Sequence, residues 1–275
     1  MLKKPLRICH LADTHIRNLK FHDEYRFVFE NIYKKLREQQ PDYIVHCGDL
    51  AHTKTQLSPE YFALASDFLK NLADIAPTYI ILGNHDGNLK NSDREDAVSP
   101  ITNALDHPQL FLLKNSGRVS PQPGLSFNVL SIFDRDNWMH PKEGDINIAL
   151  YHGAVMGSKT GSGWAMDHGD DDVGIFKGHD FAMLGDIHKP QILDTEGRVQ
   201  YCGSTIQQNF SEDGRKGYKF WTIRDDKDFD VQHVTFTNPR PFITIHLDEK
   251  GELPEHKHAP NGCRLRLIST SNMDS

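Results

Sequence analysis

The sequence predicts an α/β protein built on a parallel sheet, and three observations carry that prediction. Apolar β-type runs alternate with amphipathic helical stretches over the first third of the chain, the order that crossover connections between parallel strands require. Each of the first three runs ends directly in a polar motif, and open α/β sheets place their ligands outside the carboxyl ends of the strands. Beyond about residue 110 the helical periodicity gives way to short β-type runs separated by Gly-, Pro- and Asp-rich turns, which suits a mixed sheet packed against the first.

Leu6–Ala12 is a short apolar run ending at Asp13-Thr14-His15. From about Tyr25 to Glu38, Phe29, Ile32, Tyr33 and Leu36 recur at helical spacing and give one apolar face. Pro41-Asp42 breaks this helix, and Tyr43–Cys47 reads as a second strand running into Gly48-Asp49-Leu50-Ala51-His52. Ser58 and Pro59 suit the cap and first position of a second helix over Pro59–Leu72, because the serine hydroxyl satisfies an unpaired amide and proline lacks one. Thr78–Leu82 is a third strand, followed at once by Gly83-Asn84-His85-Asp86. Later strand-like runs fall at 110–113, 126–133, 146–151, 181–184, 191–193, 199–202, 219–223 and 231–236. The segment Gly153–Gly178 is rich in Gly, Ser and Asp with little apolar periodicity and reads as a long active-site loop. Asn238-Pro239-Arg240-Pro241 reads as a linker, separating a main domain over residues 1–237 from a C-terminal piece over 238–275. That piece holds two strand-like runs, Phe242–Leu247 and Cys263–Ile268, and a tail from Ser269 expected to be disordered. Two strands alone are not a stable domain, so they are expected to join the main body or to begin a second one.

Composition narrows the class. With 37% hydrophobic and 25% charged residues the chain reads as a water-soluble globular protein, and no apolar run approaches the ~20 residues of a membrane span. Four widely spaced cysteines without a CxxC pair suggest neither a disulfide framework nor a zinc ribbon. The expected compartment is therefore a reducing cytoplasm, a host's where the source is viral. A formal charge of −7 argues against a protein that simply coats nucleic acid. Sixteen histidines point instead toward metal ligation or proton handling, although solvated histidines would give the same count.

Position decides between these. In chain order the strand-end motifs are Asp13-x-His15, Gly48-Asp49-x-x-His52, Gly83-Asn84-His85-Asp86, His152-Gly153 and Gly185-Asp186-x-His188. Singly each is weak: most DxH triplets are incidental, and GNHD could be a plain turn. Five such motifs, each after an apolar run, are hard to obtain by accident. Alternate residues of a strand share a side, which would let Asp13 and His15, or Asp186 and His188, reach one ion. Glycine allows the sharp turns needed for close approach to a charged centre. Mixed Asp, His and Asn ligation suits manganese or iron better than a sulfur-rich structural zinc site.

This order of motifs, over Leu6 to about His188, resembles the calcineurin-like metallophosphoesterase superfamily. The resemblance implies a four-layer α/β sandwich of two mixed β-sheets flanked by helices, here with the start of a small C-terminal capping domain. It also implies two divalent metal ions, Mn2+ or alternatively Mg2+ or Fe2+. One would be held by Asp13, His15, Asp49 and His188, the other by Asp49, Asn84, His152 and Asp186, with Asp49 bridging. Protein phosphatases of the superfamily carry a substrate-clamping arginine in the second motif, where this chain reads Gly48-Asp49-Leu50-Ala51-His52-Thr53.

Further segments are similar to the SbcD family, the nuclease subunits of double-strand-break repair complexes: His10–His15, Phe181–Gln191, Tyr201–Ile206, Phe210–Glu212, Lys216-Gly217 and Asn238–Phe242. The resemblance covers roughly residues 6–245. It implies a 3′-to-5′ exonuclease on duplex ends with single-strand endonuclease activity, acting in DNA repair and recombination. It also implies homodimerisation and pairing with an SbcC-type coiled-coil ATPase. One residue departs from that family, which has His-x-His where this chain has Asp186-x-His188. By the same resemblance His85 and His52 are the catalytic histidines at the phosphate, and Asp86 is expected to orient His85. Arg17, Lys20, Lys54, Lys90, Arg94 and Lys159 follow the motifs in loops and are candidate contacts to the DNA backbone. The competing readings are a small-nucleotide phosphodiesterase or phosphatase, and a weakly catalytic scaffold that binds DNA ends.

Overall fold

The computed structural model describes residues 4–55, 57–91, 94–161, 163–166, 169, 171–248, 250–254 and 259–269. Residues 162, 167, 168 and 170 of the expected active-site loop, and 270–275 of the expected tail, lie outside that set. The element order is β1 (Leu6–Leu11), α1 (His22–Gln39), β2 (Tyr43–Cys47), α2 (Pro59–Ile75), β3 (Thr78–Ile81), α3 (Ser99–Leu105), β4 (Leu110–Leu113), β5 (Gly117–Gln122), β6 (Leu125–Leu130), β7 (Ile146–His152), β8 (Phe181–Gly185), β9 (Gln191–Ile192), β10 (Val199–Tyr201), β11 (Lys216–Ile223), β12 (Phe229–Phe236), β13 (Phe242–His246) and β14 (Arg264–Ile268).

Two mixed six-stranded sheets form the body, ordered β12-β11-β1-β2-β3-β4 and β5-β6-β7-β8-β10-β9. In the first, β1 to β4 are parallel and β11 and β12 add antiparallel. In the second, β6, β7, β8 and β10 are parallel, with antiparallel β5 and β9 at the edges. Period-two alternation explains how one strand serves two layers. Leu6 and Ile8 of β1 pack between the sheets with Val45, Phe127, Leu150 and Trp221, while Cys9 and Leu11 face the helices.

The helices form for the reasons their sequences suggest. Tyr25, Val28, Phe29, Ile32 and Leu36 make the buried stripe of α1. Ser58 caps α2 by accepting the amide of Tyr61 at 3.2 Å, with proline in the first turn. Phe29 of α1 stacks on Phe68 of α2 at a ring separation of 4.0 Å. These α-helices cover the first sheet; on the outer face of the second, Ala154, Val155 and Phe176 pack with Leu130, Ala182 and Leu184.

The C-terminal strands take neither of the two expected courses in full. β13 and β14 pair with one another, parallel, in a separate two-stranded sheet. They dock on the body through Arg264, whose guanidinium pairs with buried Glu24 of α1, and through Phe242, which packs edge-on against Phe210.

Candidate metal centre

All five motifs meet at the carboxyl ends of strands from both sheets. Asp13 and His15 follow β1, Asp49 follows β2, Asn84 follows β3, His152 ends β7, and Asp186 and His188 follow β8. The loops after β1 and β2 run side by side, with Asp13 N–H donating to Gly48 O at 3.0 Å and His15 N–H to Asp49 O at 2.9 Å.

Strand alternation is not what brings Asp13 and His15 together. Both lie past the end of β1 in the left-handed region, at φ 51° and 46°. Asp49 and Asp186 do the same at 58° and 97°. Among the described residues only six non-glycine positions have such a φ, and four are candidate ligands. Backbone held in this sparsely populated region costs on the order of 1 kcal/mol per residue or more and persists only where surrounding structure imposes it. Two glycines let the loops close up at the centre. A Cβ on Gly48 would lie 2.5 Å from the His152 ring, and one on Gly83 would lie 2.2 Å from Asp49 Oδ1.

The ring nitrogens then point inward. His152 Nδ1–H donates to Cys47 O at 2.7 Å, so its Nε2 faces Asn84 Oδ1 at 3.0 Å and Asp49 Oδ2 at 3.3 Å. His188 Nδ1–H donates to Glu212 Oε1 at 2.7 Å, and its Nε2 meets Nε2 of His15 at 2.9 Å. Two imidazole nitrogens face to face need a proton or a cation between them. Asp13, His15 and His188 bring ligand atoms within 4.8 Å of one another, as do Asp13, Asp49 and His152. Asp186 is joined to the centre through its amide, which donates to Asp13 Oδ1 at 2.9 Å, and its carboxylate lies 3.7 Å from His152 Nε2. This donor set fits divalent cations, and the clusters Asp13, His15 and His188, and Asp13, Asp49 and His152, are the groups whose atoms could hold them.

The electrostatics agree. Burial pushes the Asp13 carboxyl up to about 7, despite the opposing pull of His188 and His152, which is a site that gains from positive charge. Burial would raise Asp49 too, but the charge and hydrogen bond of His152 outweigh it and hold that carboxylate well below the usual range. Burial lowers His46 to about 3; this neutral ring hydrogen-bonds the Thr14 hydroxyl at 2.8 Å and braces the turn between two ligands.

The two candidate catalytic histidines lie beside this cluster. His85 Nδ1–H donates to His52 O at 2.7 Å, which leaves Nε2 as the ring's other nitrogen, and the ring packs edge-on to His15 at 4.8 Å. Asp86 does not orient His85, as the sequence suggested. Its carboxylate is fully buried and accepts the amides of Asp49 at 2.8 Å, Ala51 at 2.9 Å, Gly83 at 3.0 Å and Leu50 at 3.3 Å. It is the anchor of the loops that carry Asp49 and Asn84.

The basic candidates divide. Arg17 and Lys20 line a groove of about 310 Å³ with His52, and both lie over the Phe21 ring, at 5.0 and 5.1 Å. Lys54 is directed elsewhere: its ammonium donates to Asn84 O at 2.9 Å and to Gly87 O, closing the loop after β3. Lys90, Arg94 and Lys159 are exposed.

Sequence reasoning missed the part played by Glu212. This buried carboxylate, held down to about 2 by its partners although burial opposes them, binds His188 and the Lys216 ammonium at 2.8 Å. Outer carboxylates of this kind fix the tautomer of a ligating histidine. Glu212→Gln is expected to weaken manganese binding about 10- to 100-fold, measured by titration calorimetry; unchanged affinity would confine Glu212 to packing.

A family model for calcineurin-like phosphoesterases matches residues 6–190. The chain belongs to that family, whose members are metal-dependent phosphoester hydrolases with two divalent ions. Among individual proteins it is similar to uncharacterized protein R555 of Acanthamoeba polyphaga mimivirus, with 41% identity over 277 residues. The match covers 95% of this chain and 20% of that protein, so the chain spans about a fifth of its relative's length. Among solved structures it is similar to the nuclease MPE of Pseudomonas putida at 17% identity and a TM-score of 0.30, covering 53% of this chain and 61% of that one.

Proposed function

We propose that this protein is a metal-dependent DNA nuclease that hydrolyses phosphodiester bonds, acting in DNA repair or recombination as a 3′-to-5′ exonuclease and single-strand endonuclease. The observation that carries the hydrolytic reading is the convergence of Asp13, His15, Asp49, Asn84, His152, Asp186 and His188 from two sheets on one point. What favours DNA over a small ester is the SbcD-like sequence outside the metal motifs, together with the groove of Arg17, Lys20 and Phe21 that adjoins His52. Phosphate contact is local, so a net charge of −7 does not oppose it.

Divalent ions at such a centre lower the pKa of water and neutralise phosphate oxygens. The chain supplies the remainder. His85, fixed through Nδ1 by the His52 carbonyl, holds Nε2 ready to hand a proton to the leaving oxygen. The His52 ring opens on the neighbouring groove and contacts the phosphate from the other side. Association with an SbcC-type ATPase, and homodimerisation, belong to the same proposal.

Linear duplex DNA, a cyclic dinucleotide and bis(p-nitrophenyl) phosphate, each assayed with manganese and with EDTA, test the reading. Manganese-dependent cleavage of DNA is expected. Turnover of the cyclic dinucleotide alone would make the protein a small-nucleotide phosphodiesterase, and DNA binding without any turnover would make it a scaffold.

A further inference from the structure

The second motif lacks an arginine, yet an arginine reaches the same centre from elsewhere in the chain. Arg135 opens a short 3-10 turn, Arg135–Asn137, in the connection between β6 and β7. Its side chain lines a cavity of about 290 Å³ whose other walls are the candidate ligands Asn84, His152 and Asp186, the backbone of Gly153, and Leu89 and Ile132. That volume is at the low end of those that hold small ligands. We propose that Arg135 is a substrate-binding residue that grips a non-bridging oxygen of the phosphodiester, with Leu89 and Ile132 forming the wall against its nucleoside side. The inference rests on the phosphodiesterase reading above and gives that site its anion contact.

The arginine is held rather than loose. Its Nη1 donates to both oxygens of Asp171 at 2.9 Å. Asp171 also accepts the Tyr151 hydroxyl at 2.5 Å, and Tyr151 is the residue before His152 on β7. The guanidinium carbon lies 5.2 Å above the Trp138 ring, and that indole is itself fixed by donating to Ser131 O at 2.9 Å. Carboxylate, phenol and indole thus set the plane of the fork, while the pairing occupies one of its nitrogens. A guanidinium carries five N–H donors and matches phosphate geometry in a way an ammonium does not. The side chain remains 41% exposed, against 11% for Asp171, so the anchor is covered while the arginine stays open to solvent and lines the cavity.

Charge gives the arrangement a reason. Two divalent cations would bring about four positive charges, and Asp13, Asp49 and Asp186 offset three of them. An incoming phosphodiester anion would then meet little surplus positive charge. Arg135, itself balanced by Asp171, adds N–H donors rather than net charge on the side of the centre where Asp186 contributes its carboxylate, since both line the same cavity.

The test compares wild type, Arg135→Ala and Arg135→Lys in manganese, with inorganic phosphate as the probe, read both by titration calorimetry and by competitive inhibition of bis(p-nitrophenyl) phosphate hydrolysis. Arg135→Ala is expected to weaken phosphate binding and raise KM about 10- to 100-fold, with manganese affinity unchanged and Tm lowered by the loss of the Asp171 pair. Arg135→Lys should recover only part of the loss, since a point charge cannot keep the forked contact. Phosphate affinity equal to wild type in Arg135→Ala would overturn the inference. So would a parallel fall in manganese affinity, which would show that the Asp171 and Tyr151 contacts merely support β7 and the ligand His152 that ends it. A wild-type protein that binds phosphate through Arg135 but cleaves no phosphodiester would defeat the proposed function and leave this contact standing.

Discussion

Replacing His85 by alanine leaves manganese binding unchanged and lowers phosphodiester turnover about 10²- to 10⁴-fold, the usual worth of general acid–base help. The structure gives this expectation a sharper edge than the motif alone. His85 shares a cluster with His15 and Asp49 whose ligand atoms all lie within 4.8 Å, so geometry alone would admit it as a further ligand. Its Nδ1, however, is committed to the His52 carbonyl at 2.7 Å, and its backbone amide to Asp49 Oδ1 at 2.8 Å. The ring is thereby aimed by the adjacent loop, the one that follows β2. Manganese titration and steady-state kinetics on one preparation of His85→Ala separate the two roles. Loss of the ion along with turnover would make His85 a ligand, and retained turnover would remove it from the chemistry.

Asp86→Asn has the second large effect, and it falls on folding. The carboxylate accepts four backbone amides through two oxygens, with Ala51 on one and Asp49, Leu50 and Gly83 on the other. Asparagine keeps one oxygen and turns an NH2 toward at least one of those amides, leaving buried donors unpaired. Each orphaned group costs on the order of 1–3 kcal/mol, so a loss of about 3 kcal/mol or more in unfolding free energy is expected by urea denaturation. Weaker manganese binding should follow, because Asp49 and Asn84 sit on the loops that Asp86 ties together. Normal stability and metal affinity with turnover alone reduced would return Asp86 to a role on His85.

These cases mark what the sequence could and could not convey. The strands carrying the ligands were legible because each is a short apolar run cut off by a polar motif: Tyr43–Cys47 has the predicted limits. β5 was not legible, since Gly117–Gln122 contains one aliphatic residue and a proline, and it exists through its antiparallel pairing with β6. α3, seven residues long, is likewise too short to show a periodicity. The pairing of β13 with β14 joins segments with no local signal for each other. At the site, the identities of the clustered side chains could be read from spacing, but their conformations could not. The left-handed φ of Asp13, His15, Asp49 and Asp186 is imposed by neighbouring loops and leaves no mark on composition. Asp86 read as a catalytic partner because it adjoins His85 in sequence. Arg135 lies far from any motif in the chain, and Glu212, though within the SbcD-like Phe210–Glu212 segment, lies outside the metal motifs; both reach the centre only through the fold.

The placement of the ligands has a consequence for the whole molecule. Asp13, His15, Asp49 and Asn84 hang from one sheet, while His152, Asp186 and His188 hang from the other. An ion held by residues of both sheets would act as a rivet across the seam, and its site would exist only while both sheets are in register. Anything that binds the native state alone shifts the folding equilibrium by mass action. Cofactor supply and protein lifetime are thereby one variable: in a metal-starved cell the two halves would part more often, and the population of intact molecules would itself report the free divalent-ion level.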